Sequence, residues 1–86
     1  MKIIGRQLAA ARSLLGWSQE QLALAADVTG QTIKNWENEQ HVPRQATIDR
    51  VRQAIEDRGV EFTNGGQPGV RFKARPGAAE HESVGE

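Results

Sequence analysis

The sequence predicts a mainly α chain, a compact bundle of four to five short helices followed by a short C-terminal β-hairpin. Three observations carry this expectation. Apolar residues recur at helical spacing as far as Ile55. Two helix-start signals, Ser18 and Thr29, stand eleven residues apart, too close for a long loop between the helices they open. Beyond Gly59 the period changes to strict alternation around a run of turn residues.

In the first helix, Ile4, Leu8, Ala11 and Leu15 fall at i, i+4, i+7 and i+11, the stripe of an amphipathic helix. Gly16 is placed to stop it in a left-handed cap, giving a helix over roughly 4–15. Ser18 and Gln21 then make a capping box, and Trp17 with Leu22 can staple the entry to a second helix over about 19–26. This makes Trp17 a core residue rather than a ligand platform. Asp27 comes where the chain needs a left-handed residue, a region Asp tolerates better than most.

Thr29 caps a third helix over about 30–38, and Val28 with Ile33 repeats the staple pattern. Leu22, Ala23, Ala26, Val28, Ile33 and Trp36 face one way and leave a polar strip of Gln31, Lys34, Asn35 and Asn38. That is the layout of a helix-turn-helix. Pro43 closes the polar segment NEQHVP, and Ile48, Val51 and Ile55 mark a fourth, scaffold helix that Gly59 stops.

Val60-Glu61-Phe62 and Val70-Arg71-Phe72 alternate on either side of NGGQPG, as the two strands of a hairpin do. The glycine run lacks the Gly-Lys-Ser/Thr ending and the following helix of a P-loop. A lone hairpin is barely stable in water, so this one is expected to rest on the helices, extend across a dimer, or both. The expected organisation is a helical unit over 1–59, a hairpin extension over 60–73 and a disordered tail over 74–86, which is small and polar with one lone valine.

With 86 residues the chain has room for one modest core, and about 60–65% of its unfolded surface would be buried, so a partner subunit would add stability. The absence of cysteine excludes disulfides and thiolate metal sites. His41 and His81 stand alone, so no metal site, no cofactor and no Ser–His–acid or paired-carboxylate constellation can be assembled, and an enzyme is not expected. No apolar run approaches a membrane span, and the start MKIIGRQ lacks the apolar core of a signal peptide. The expected setting is the cytoplasm.

Net charge is zero and the pI near 6.7, which argues for moderate electrostatic attraction to nucleic acid. Within residues 1–44, Lys2, Arg6, Arg12, Lys34 and Arg44 oppose Glu20, Asp27, Glu37 and Glu39, while Glu80, Glu82 and Glu86 place negative charge in the tail.

The run W-S-Q-E-Q-L-A-x-x-A-D-V-T-x-x-T-I-x-x-W-E-N, residues 17–38, resembles the Xre family of helix-turn-helix regulators, the phage repressor and Cro type. The likeness extends over 5–59, and the segment 59–73 resembles a C-terminal extension on small bacterial members. The resemblance implies a lambda-repressor-like bundle that binds a double-stranded DNA operator, usually as a homodimer, and represses transcription. By that likeness Gln31, Asn35, Gly30 and Thr29 would meet base edges. Gln19, Thr32, Lys34, Asn38 and Arg44 would meet the DNA backbone. An amide suits base reading because it donates and accepts at once, matching adenine N6 and N7.

The resemblance also implies a buried ion pair, Arg12 with Glu37, joining the first helix to the third. Gly30 departs from the polar or basic side chain often found at its position, and Asp27 from the usual turn glycine. The bland reading of the polar strip is a solvated helix face. A second functional reading, kept open by the near-neutral charge, is a protein-interaction module, an antitoxin or adaptor retaining the fold.

Overall fold

A computed structural model of the protein describes residues 2–73, in the order α1 (Gly5–Leu15), α2 (Gln19–Ala26), α3 (Gly30–Glu37), α4 (Gln45–Glu56), β1 (Val60–Thr63) and β2 (Gly69–Phe72). The tail expected over 74–86, with Glu80, His81, Glu82 and Glu86, lies outside the described residues.

The first three helices end alike. Gly16, Asp27 and Glu39 take left-handed backbone angles, with φ of 70°, 60° and 60°. After each, the next amide reaches back five residues: Trp17 to the Arg12 carbonyl, Val28 to Ala23 and Gln40 to Asn35, at 3.1, 3.0 and 2.9 Å. This is the Schellman closure, which satisfies carbonyls that a helix end would otherwise orphan. At the first two ends the residue that reaches back, Trp17 or Val28, directly precedes the next N-cap, Ser18 or Thr29. At each of these two junctions, 16–18 and 27–29, a stretch of three residues therefore stops one helix and starts the next, and the chain turns sharply into the helix-turn-helix.

The caps form as their residue types require. Ser18 Oγ accepts the Gln21 N–H at 3.0 Å while Gln21 Oε1 accepts the Ser18 N–H at 2.7 Å. Thr29 Oγ1 accepts the Thr32 N–H at 3.2 Å. Each such cap contributes on the order of 1 kcal/mol.

α2 packs against α3 and α4, and α1 against α3 and both strands. Trp36, Leu8, Leu22, Ile33, Ile55, Val51 and Val60 are fully buried in one shared core. Trp17 is half-buried against that core, with the Arg58 guanidinium carbon 5.4 Å from its ring centroid.

The start of α1 differs from expectation. Ile4 is half-buried and precedes the helix, and it is Ile3 that enters the core. The cause is the approach of Gly5 to the end of α3. A Cβ on Gly5 would stand 2.3 Å from the Trp36 carbonyl oxygen and 2.8 Å from that of Glu37. Trp36 Nε1 then donates to the Ile3 carbonyl at 3.0 Å, drawing the preceding residue inward.

The strands pair antiparallel with Val60 opposite Phe72 and Phe62 opposite Val70. Val60 and Phe62 enter the helical core, so the hairpin rests on the helices. Gln7 fastens it. The two hydrogens of its Nε2 are shared among the Thr63 carbonyl at 3.1 Å, the Gly69 carbonyl at 3.0 Å and Asn64 Oδ1 at 3.0 Å, while its Oε1 accepts the Ile4 N–H at 3.2 Å. Asn64 Nδ2 in turn donates to the Lys2 carbonyl at 3.0 Å.

Candidate nucleic-acid interface

α3 has two unlike faces. Ile33 and Trp36 are buried, each such burial contributing roughly 2–3 kcal/mol, while Gln31, Lys34 and Asn38 are exposed and Asn35 half-buried. The inward pair fixes the helix's rotation about its axis, and that rotation decides which side chains face outward.

A polar knot sets its tilt. Arg12 Nε donates to Glu37 Oε2 at 2.8 Å and Arg12 Nη2 to Glu37 Oε1 at 2.9 Å, a bidentate fork. Arg12 Nη1 reaches the Trp17 carbonyl at 2.9 Å, and Gln19 Nε2 donates to Glu37 Oε1 at 3.0 Å. One carboxylate from α3 thus gathers α1, α2 and the turn between them. The hydrogen bond and charge of Glu37 raise the Arg12 guanidinium above its ordinary range against the opposing effect of burial, so Arg12 stays protonated at any working pH.

On the outer face, Gln31 Nε2 donates to Asn35 Oδ1 at 2.9 Å. This leaves Gln31 Oε1 as a free acceptor and Asn35 Nδ2 as a free donor. Thr29 and Thr32 stand together at the start of α3, their hydroxyl oxygens 2.9 Å apart, with Thr29 occupied as the cap. A Cβ on Gly30 would meet the Glu20 side chain alone, in ordinary contact with its Cγ at 3.7 Å.

Lys34 is exposed and has no ion-pair partner among the described residues. Arg44 is exposed too and likewise unpaired there, as the N-cap residue of α4. Gln19 is turned to an internal partner, Glu37, a contact the sequence reading did not assign.

Three positions that shape the interface escaped the sequence reading. Gly5 admits the end of α3, Glu39 closes that end, and Gln7 holds the hairpin against α1. Only Gly5 left a signal, a glycine in the first turn of an otherwise alanine-rich helix. Among the described residues no group of three or more His, Cys, Asp or Glu could hold a metal ion. No helix there is long and apolar enough to cross a membrane.

Comparison with curated proteins gives no match. The profile of the helix-turn-helix family matches residues 8–56, more than half of the chain. That span holds the first three helix ends, both stapled starts, the polar knot and the outer face of α3. The chain belongs to the helix-turn-helix family of DNA-binding regulators, of the Xre/Cro type.

Proposed function

We propose that the chain is a sequence-specific transcriptional repressor in the cytoplasm, binding a palindromic operator as a homodimer. Each subunit sets α3 in a major groove, with half-sites about one helical turn, roughly 34 Å, apart. The observation that carries this is the two-faced α3: Ile33 and Trp36 anchor it inside while the joined amides of Gln31 and Asn35 stand outside.

Gln31 and Asn35 read base edges, with Gly30 and Thr29 flanking them, and Lys34, Arg44, Asn38, Thr32 and Gln19 meet the backbone. Residues 1–59 act as the DNA-binding unit and 60–73 as a brace on α1.

Gel shifts on DNA selected in vitro test the reading. Gln31→Ala or Asn35→Ala is expected to cost about 1–3 kcal/mol at the selected site and little on random DNA. Lys34→Ala or Arg44→Ala is expected to weaken both and flatten the salt dependence. Unchanged site binding by the Gln31/Asn35 double variant would overturn the assignment. No shift on any DNA at low salt would favour a protein-interaction module instead.

A further inference from the structure

We propose that Glu20 is a further specificity-determining residue, which reads a cytosine through the space that Gly30 leaves open. The proposal rests on the reading of α3 as the helix that enters the major groove.

Two independent observations lead to it. The first concerns partners. Arg12 pairs with Glu37, Arg6 with Glu39, Arg50 with Asp27, Arg52 with Glu56 and Arg71 with Glu61. Gln45 and Gln53 donate to Asp49 and Asp57. Among the described residues, Glu20 alone of the carboxylates has neither an ion-pair nor a hydrogen-bond partner.

The second concerns place. The atom nearest to a Cβ built on Gly30 is Glu20 Cγ, 3.7 Å away. The exposed side chain of Glu20 therefore runs beside the first residue of α3, where no side chain from position 30 competes with it. Together the two line a shallow depression of about 220 Å³ with Ala23, Leu24 and Val28.

The chemistry of the groove selects the base. A carboxylate only accepts hydrogen bonds. Guanine presents two acceptors in the major groove, thymine an acceptor and a methyl, and adenine a donor beside the acceptor N7. Cytosine presents the N4 amino donor alone, and a glutamate accepts from it. Elsewhere near the duplex an unpartnered carboxylate faces phosphates and opposes binding. An exocyclic amine offers this one a partner.

The test is in vitro selection of bound DNA with the full chain, comparing wild type, Glu20→Ala and Glu20→Gln. Wild type is expected to enrich one cytosine per half-site, preferred roughly tenfold, beside the positions that Gln31 governs. Glu20→Ala is expected to level that position alone. Glu20→Gln is expected to move it toward adenine, because an amide can donate to N7 as well as accept from N6.

The proposal is overturned if all three proteins select the same sequence while Glu20→Ala binds every DNA more tightly by one common factor. Glu20 then merely repels phosphates. If wild type enriches no sequence at all, the groove reading itself fails and this proposal falls with it, so the two failures are distinguishable.

Discussion

α1 grips the rest of the protein twice, with opposite chemistry. At Arg12 it holds α3 through a charged fork to Glu37, and at Gln7 it holds the hairpin through a neutral amide. Both clamps hold a segment distant in sequence against α1, and both use planar, multi-donor side chains. They differ in what burial costs. The Glu37 side chain is 6% exposed, so its charge is desolvated heavily and the Coulomb gain largely offsets that loss. Gln7 is 4% exposed and carries no charge, so its bonds are offset by a far smaller desolvation. The charged clamp is suited to fixing an angle, the neutral one to holding an extension in place at little cost. The charge stands at α3, the helix proposed to meet DNA.

The comparison can be broken from either side. The largest effect is expected from Arg12→Ala, which leaves Glu37 with Gln19 alone and should cost about 3–5 kcal/mol in denaturant unfolding. Replacing both partners, Arg12→Met with Glu37→Met, should return stability to within about 1 kcal/mol of wild type while operator affinity stays reduced. Wild-type affinity in that double variant would show that the pair does not orient α3.

Gly5→Ala attacks the same joint sterically. Its Cβ would press on backbone oxygens that cannot swing away, and about 2–3 kcal/mol is expected, read from the same unfolding curves. Gln7→Ala should cost about 2 kcal/mol by leaving the Thr63 and Gly69 carbonyls short of a donor. Its mark should be local, with amide hydrogen exchange rising over 60–72 and α3 unaffected; equal loosening of α3 would mean the clamps are one unit. The smallest effect is expected from Gly30→Ala, outside both clamps. The methyl group fits, and a gain of about 0.5 kcal/mol should add to either clamp variant.

What was legible in the chain follows from range. Ser18, Gln21, Asp27 and Thr29 act on backbone within three to five residues of themselves, so their types and spacing announce what they do. Gln7 bonds partners 56 to 62 residues away, and a glutamine in an amphipathic helix looks like any solvated residue. Glu39 is hidden differently. Its left-handed angle is imposed by the closure of α3, at a residue type that gives no hint of it. Ile4 misleads because it continues the helical apolar stripe in the sequence, whereas the close contact at Gly5 moves burial one residue earlier, to Ile3. The Arg12–Glu37 pair was legible only through the family likeness. Nothing local joins residues 25 apart.

The two tryptophans make the molecule its own reporter. The chain has no tyrosine, so its ultraviolet emission comes from Trp17 and Trp36. Trp36 is wholly enclosed with its indole N–H bonded to Ile3, and should fluoresce toward the blue for as long as α3 is seated. Trp17 is half in water under the Arg58 guanidinium and should emit toward the red, its brightness following the turn between α1 and α2. With Trp17→Phe and Trp36→Phe in hand, the seating of α3 and the closing of the turn between α1 and α2 become separately visible in light, without any label.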